Sequence, residues 1–138
     1  MSTVLFACVH NAGRSQIAAG FFNALADPAK AVAVSAGTQP GERVHPVVVD
    51  VMREVGIELS SQQPQKLTDQ LARGASLLVT MGCGDECPYI PGLQRDDWPL
   101  EDPKGKPLDH VRRIRDEVRD RVSQLLDARG WRRLDPAT

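Results

Sequence analysis

The sequence has little of the features that mark several large classes of protein. Its 138 residues carry 17 basic and 18 acidic side chains, so it lacks the basic excess typical of nucleic-acid-binding proteins, and we expect no nucleic-acid partner. No apolar run approaches the roughly 18–20 residues of a membrane-spanning helix, and no basic segment precedes the short apolar stretch at the start, as a signal peptide requires. Three cysteines in such a chain indicate thiol chemistry or metal binding more than a structural disulfide framework. These absences predict a cytoplasmic protein with no membrane partner.

Internal repeats, low-complexity tracts and long linkers are also missing from the chain. A length of 138 residues is typical of one domain, so we interpret residues 1–138 as a single domain. The hydrophobic fraction of 41% is enough for a buried core. A monomer is the expectation for the assembly, with a homodimer left open.

Apolar segments of two kinds alternate along the chain. Continuous apolar runs over residues 4–7, 31–34 and 77–81 are typical of strands buried on both faces. Helical spacing predicts helices over 17–25, 46–55, 68–71 and 111–126, with Thr68 and Asp109 as caps and the charges of the last helix on a solvated face. Residues 89–106 are predicted to be loop, with a short strand near Trp98. This alternation predicts an α/β fold with a parallel sheet covered on both sides.

The most informative segment follows the first predicted strand. It has a Cys-x5-Arg-Ser pattern and consists of Cys8, Val9, His10, Asn11, Ala12, Gly13, Arg14 and Ser15. Backbone N–H groups that precede a helix bind anions, and the helix dipole favours negative charge there. Gly13 is predicted to allow the backbone conformation that closes the loop, Asn11 to brace the loop backbone, and Arg14 to grip two oxygens of a tetrahedral oxyanion. We therefore predict an oxyanion-binding loop over residues 9–14.

Cys8 lies at the start of this loop, in the same positive field. Such a field stabilises a thiolate over a thiol, and Ser15 is placed either to donate a hydrogen bond to the sulfur or to cap the helix. One loop would then hold an oxyanion and present a nucleophile to its centre. The alternative is a small buried cysteine with Arg14 as a surface charge.

This loop and three further segments resemble the low-molecular-weight protein tyrosine phosphatase superfamily and, within it, the arsenate reductases. The further segments are residues 34–38, 79–85 and 97–103, and the resemblance covers about residues 4–126. It implies a three-layer sandwich in which helices flank a four-stranded parallel sheet. It also implies that the chain is an oxidoreductase of arsenical resistance that converts arsenate to arsenite, with phosphate and sulfate as analogues of the substrate.

The resemblance assigns a general acid to Asp102, which precedes Pro103 as in the acid loop of the family. An acid held there would protonate the oxygen that leaves the tetrahedral centre. Asp96 and Asp97 are alternatives on the same loop, and an ordinary Asp-Pro turn is the structural alternative.

The remaining cysteines, Cys83 and Cys87, lie four residues apart after the third predicted strand. The resemblance implies a disulfide cascade in which Cys83 attacks the Cys8–arsenic adduct and Cys87 then forms a disulfide with Cys83. It implies thioredoxin as the electron donor, with mycothiol or glutathione as alternatives, because no bound cofactor has a fingerprint in the sequence. Buried inert cysteines and a zinc site remain alternatives for the pair.

No metal site is expected. The three histidines show no ligand spacing, and Ala19 stands where relatives that hold potassium have a glutamate. The alternative activity is hydrolysis of phosphotyrosine or other phosphomonoesters. Weak phosphatase activity is expected in either case, because the first chemical step is shared.

Overall fold

The computed structural model describes residues 1–82 and 89–134. The strands are β1 (Ser2–Cys8), β2 (Ala31–Gly37), β3 (Leu77–Thr80) and β4 (Gln94–Asp97). The helices are α1 (Arg14–Leu25), α2 (Pro46–Arg53), α3 (Asp69–Arg73) and α4 (Leu108–Arg129). All four strands are parallel, in the order β2-β1-β3-β4, which confirms the predicted α/β sheet.

Helices cover both faces of the sheet, as the continuous apolar strands require. Alternate residues of β1 point to opposite faces: Phe6 packs with α1, α2 and α4, while Leu5 packs with α3. The ring of Phe6 lies 6.0 Å from that of Phe22 and 5.6 Å from that of Trp98. The predicted three layers are therefore present.

The strand register brings the carboxyl ends of the central strands to one edge of the sheet. Cys8 pairs with Gly37 of β2, and Ala7 pairs with Thr80 of β3. The segments that follow these strands consequently meet at one edge, where ligand sites of open parallel sheets form.

The short strand predicted near Trp98 is confirmed as β4, whose four side chains are all exposed and polar because an edge strand needs no apolar pattern. Two other predicted details differ in the structure. Helix α2 ends at Arg53, before the predicted limit. Asp109 does not cap α4: the N-cap residue is Pro107, and the Asp109 carboxylate accepts a hydrogen bond from Arg112.

The cap predicted for α3 is confirmed, since the hydroxyl of Thr68 accepts a hydrogen bond from the backbone N–H of Leu71. Within residues 1–82 and 89–134, no helix is both long enough and apolar enough to cross a membrane.

Candidate active site

Cys8 is the last residue of β1, and its sulfur lies at the base of the loop that leads into α1. The side chain is almost completely buried, with 2% of the residue exposed. The backbone N–H of Asn11 donates to the sulfur over 3.3 Å, and the Ser15 hydroxyl oxygen lies 2.9 Å from it. Ser15 thus makes the first of its two predicted contacts and not the second, since the N-cap of α1 is Gly13 and has no capping side chain.

The direction of the hydrogen bond between Ser15 and Cys8 follows from the partners of Asn11. The backbone N–H of Gln65 can only donate, and it meets the Asn11 side-chain oxygen at 2.9 Å. The Asn11 side-chain NH₂ must then face Ser15, whose oxygen accepts over 2.7 Å. Because Ser15 accepts there, its own proton is directed at the sulfur. Two donors, the backbone N–H of Asn11 and the hydroxyl of Ser15, therefore point at the Cys8 sulfur.

The brace predicted for Asn11 differs in the structure. Its side-chain amide forms hydrogen bonds with Ser15, with Gln16 and with the distant backbone of Gln65, and not with the backbone of its own loop. Asn11 also adopts the left-handed conformation, with φ of 51°. This conformation and the buried contacts together fix the turn of the loop.

Gly13 also leaves space for a neighbouring segment. Its backbone, with φ of −137° and ψ of −94°, is neither helical nor extended, in agreement with the prediction that a glycine closes the loop. A Cβ at this position would lie 2.8 Å from Cγ of Pro103, which is shorter than the Cβ contacts of real structures. The missing side chain therefore allows the Asp102-Pro103 segment to pack against the loop.

The carbonyl groups of the loop are all turned towards neighbouring segments. Those of residues 8–13 accept hydrogen bonds, in order, from Thr38, Gln39, Gly41, Gln16, His45 and Ile17. Among the described residues, none accepts a hydrogen bond from the backbone N–H of His10, Ala12, Gly13 or Arg14. Donors without partners and carbonyls that point elsewhere leave the loop suited to an anion.

Arg14 begins α1, and its guanidinium lies beside Asp102. Only 7% of Arg14 is exposed. Its Nη1 donates to the carbonyl of Leu100 over 3.2 Å, and its Nη2 lies 3.7 Å from Oδ2 of Asp102. The surface-charge alternative for Arg14 is therefore wrong. The carboxylate of Asp102 also accepts from the backbone N–H of Lys104 and keeps 42% of its side chain exposed.

The two alternative acids are held elsewhere by short contacts. The carboxylate of Asp96 accepts from the indole N–H of Trp98, and that of Asp97 accepts from the hydroxyl of Thr80. In the described part of the chain, Arg14 forms an ion pair with Asp102 and with neither of these residues. The geometry favours Asp102 among the three.

His45 is a residue of this region that the sequence analysis did not assign to the site. Its backbone N–H donates to the carbonyl of Ala12, and its ring lies 3.5 Å from the point where a Gly13 Cβ would be. Burial lowers the pKa of His45, Lys104 and His10 lower it further, and Asp102 acts in the opposite direction. A histidine before a proline gives no sequence signal of this placement.

Cys83 and Cys87, the predicted redox partners, lie outside the described residues. The chain before them is described as far as Gly82, which lies directly against the guanidinium of Arg14. No three His, Cys, Asp or Glu side chains gather into a possible metal site within residues 1–82 and 89–134. The absence of a metal therefore stays a prediction for the whole chain.

Residues 3–134 match the family described as low molecular weight phosphotyrosine protein phosphatase. A glutaredoxin arsenate reductase of Synechocystis is 35% identical over 129 residues, which are 91% of this chain and 97% of that one. An arsenate reductase of Staphylococcus aureus is 34% identical and covers 85% of this chain and 90% of its own length.

Among solved structures, the thioredoxin-dependent arsenate reductase of Corynebacterium glutamicum superposes with a TM-score of 0.81 at 38% identity. The match covers 93% of this chain but 61% of that longer one. The extent of the family match and the identity to these relatives lead to one conclusion: the chain belongs to the low molecular weight phosphotyrosine protein phosphatase family.

Proposed function

We propose that this protein is an arsenate reductase in which Cys8 is the nucleophile. The observation that carries the proposal is the buried Cys8 sulfur, which receives hydrogen bonds from Asn11 and Ser15 at the base of a loop whose carbonyl groups are all hydrogen-bonded elsewhere. The names of the relatives support arsenate as the oxyanion.

Substrate binding uses the loop of residues 9–14 and the guanidinium of Arg14. The free backbone N–H groups and the N-terminus of α1 attract the negatively charged oxygens. The guanidinium of Arg14 lies 3.7 Å from the carboxylate of Asp102, which is beyond hydrogen-bond distance. A bound oxyanion can therefore compete for the guanidinium and form a charge-assisted hydrogen bond with it.

The first chemical step forms a bond between the Cys8 sulfur and arsenic. The thiolate attacks the arsenic atom, one arsenic–oxygen bond breaks, and the departing oxygen takes a proton from Asp102 and leaves as water. Arsenic stays pentavalent in this adduct. The half-exposed side chain of Asp102 supports its role, because an acid at the mouth of the site can recover its proton from solvent.

The second step needs another thiol, for which we propose Cys83. Its thiolate attacks the Cys8 sulfur and forms a disulfide, while the sulfur–arsenic bond breaks with its electron pair on arsenic, which leaves as trivalent arsenite. Cys87 then attacks Cys83, which frees Cys8 as a thiolate and leaves a Cys83–Cys87 disulfide.

The electrons that reopen this disulfide must come from an external thiol. We propose thioredoxin as the donor. Cys83 and Cys87, four residues apart, would form an intramolecular disulfide, which is the kind of bond that a dithiol donor reduces. The relatives differ in this respect, since one is named for glutaredoxin and another is thioredoxin-dependent. Glutathione and mycothiol are the alternatives, and a reducing donor of any of these kinds is consistent with a location in the cytoplasm.

A phosphatase activity is the second candidate, supported by the family to which the chain belongs. A thiol nucleophile, an anion loop and an acid suffice for it. Lys104 and Gly105, not aromatic residues, follow Pro103, and the single tyrosine, Tyr89, is almost fully exposed. A mouth of this composition suits a small inorganic anion better than an aromatic ring, so we expect the phosphatase activity to be weak.

The test is a coupled assay in which arsenate, thioredoxin, thioredoxin reductase and NADPH are mixed with the protein and NADPH loss is followed. Cys8→Ser, Cys83→Ser and Cys87→Ser should all abolish turnover. Cys87→Ser should still release about one arsenite per chain, because it retains the first two steps. A second arm replaces thioredoxin with glutathione and glutaredoxin. Wild-type turnover by Cys83→Ser would contradict the cascade, and activity only in the second arm would reassign the donor.

A further inference from the structure

Gly82 lies two residues beyond the end of β3 and directly against the predicted anion site. Its φ is +94°, a conformation that few residues other than glycine adopt. A Cβ at this position would lie 2.2 Å from Nη1 of Arg14 and 3.2 Å from its Cζ. The guanidinium therefore occupies the space that any other side chain at position 82 would need.

The guanidinium of Arg14 has defined neighbours on its other sides. The carbonyl of Leu100 accepts from Nη1, and the carboxylate of Asp102 lies near Nη2. With 7% of the residue exposed, little free space remains around it. We propose that Gly82 is a positioning residue, whose missing side chain sets the place of the Arg14 guanidinium and thereby the affinity of the loop for tetrahedral oxyanions. This inference rests on the role of Arg14 in the proposed function.

A side chain at position 82 should affect anion binding more than folding. The atoms it would meet are the far end of a long arginine side chain, which moves more easily than backbone. A displaced guanidinium leaves the loop intact but no longer reaches the anion oxygens. By contrast, a Cβ at Gly37 would meet the backbone of Val9 and Asn11 at 2.6 and 2.9 Å, so substitution there would distort the loop itself.

The chain provides a matched control for the cost of the backbone conformation. Gly92 has φ of +85°, close to that of Gly82, and a Cβ there would meet nothing within 4 Å. Gly82→Ala and Gly92→Ala should therefore carry a similar penalty from the positive φ. Only Gly82→Ala should also displace Arg14.

The experiment measures the affinity of the reduced protein for inorganic phosphate by calorimetry, together with the melting temperature. The variants are Gly82→Ala, Gly92→Ala, Arg14→Ala and the double variant Arg14→Ala/Gly82→Ala. Gly82→Ala should weaken phosphate binding about tenfold or more, as expected for loss of a hydrogen bond to a charged group, and should lower the melting temperature as much as Gly92→Ala does. In the Arg14→Ala background, the Gly82 substitution should change the affinity less than about twofold.

Each other outcome has a distinct meaning. Equal phosphate affinity for Gly82→Ala and Gly92→Ala would overturn the inference, and so would an equal loss from Gly82→Ala with and without Arg14. Wild-type affinity of Arg14→Ala would instead contradict the proposed function. If Gly82→Ala does not fold, Gly82→Asn and Gly92→Asn replace the pair, because asparagine tolerates positive φ better than alanine. Phosphate binding requires neither Cys83 nor Cys87, so the result is independent of the disulfide cascade.

Discussion

The two loops that meet at the candidate site are built in opposite ways. The loop from Cys8 to Ser15 is nearly enclosed, with Asn11 and Ser15 fully buried and every carbonyl of residues 8–13 in a hydrogen bond. The segment with Asp102 approaches it from outside, with Pro103 buried against Gly13 but the carboxylate partly in solvent. The first loop therefore has a fixed geometry, and its residues tolerate substitution poorly. The second brings the Asp102 carboxylate to the site, where Arg14 and the backbone N–H of Lys104 are its partners.

The largest expected effect is on the reaction rate and follows substitution of the proposed general acid, Asp102. Asp102→Asn should slow release of arsenite in a single turnover by about 10²–10⁴-fold, because an amide cannot donate the proton that a carboxylic acid supplies. The melting temperature should change little, since the side chain is 42% exposed and Arg14 keeps its hydrogen bond to the Leu100 carbonyl. Asp109→Asn, an exposed aspartate paired with Arg112, is the control and should keep the wild-type rate. A loss below tenfold in Asp102→Asn would mean that another group donates the proton.

The opposite pattern is expected for Asn11→Ala. It leaves the backbone N–H of Gln65 without its acceptor and removes the donor to the Ser15 oxygen, which keeps its contact with the Cys8 sulfur. It should therefore lower the free energy of unfolding by about 1–3 kcal/mol, measured with urea, and reduce the activity as well. The control is Asn23→Ala. This variant removes a different side-chain amide, which joins α1 to the backbone of Ala33 in β2 and lies away from Cys8. If Asn11→Ala were as stable as the wild type and fully active, the enclosed loop would not depend on this network.

A smaller effect is expected for Ser15→Ala, which removes one of the two hydrogen bonds to the Cys8 sulfur. Loss of a single hydrogen bond to a charged group should slow the reaction of Cys8 with iodoacetamide at pH 7 about tenfold. Ser76→Ala, whose hydroxyl accepts from the backbone N–H of Thr3 at an exposed site, should react like the wild type. An equal rate in both variants would show that the hydroxyl of Ser15 does not influence the reactivity of Cys8.

The smallest expected effect concerns His45, which lies where the two loops meet. Burial lowers its pKa below the ordinary value of 6.5, so the unfolded chain binds a proton at this residue before the folded protein does. The stabilising contribution of neutral His45 is complete above pH 6.5 and is lost as the pH falls through the lower pKa of the folded state. His45→Gln should therefore flatten the fall in melting temperature on acidification below pH 6.5. An unchanged slope would show that burial of this ring does not influence stability.

Patterns within single segments account for most of what the sequence predicted correctly. Continuous apolar runs predicted β1, β2 and β3, and the pattern around Cys8 predicted the loop before α1. Both signals are local. The short strand predicted near Trp98 is β4, whose Gln-Arg-Asp-Asp sequence shows no apolar run because it lies exposed at the sheet edge.

Contacts between distant segments could not be predicted in this way. Gln65 meets Asn11 across 54 residues, and Gly82 matters through the space it leaves for Arg14. The interpretation of the α4 charges as a solvated face was wrong for Arg115, which is buried and donates to the Val51 carbonyl and to Glu54. A sequence pattern records which residue types are present but not which segment lies opposite.

The fixed carbonyls of residues 8–13 have a consequence for how this protein would distinguish between similar anions. A loop whose shape is determined before the substrate binds should have nearly the same affinity for phosphate as for arsenate, because both anions are tetrahedral. Selectivity would then have to come from the later reduction step, because thiols can reduce arsenic to its trivalent state but cannot reduce phosphorus in this way. Cellular phosphate should accordingly act as a competitor that slows the enzyme without being consumed.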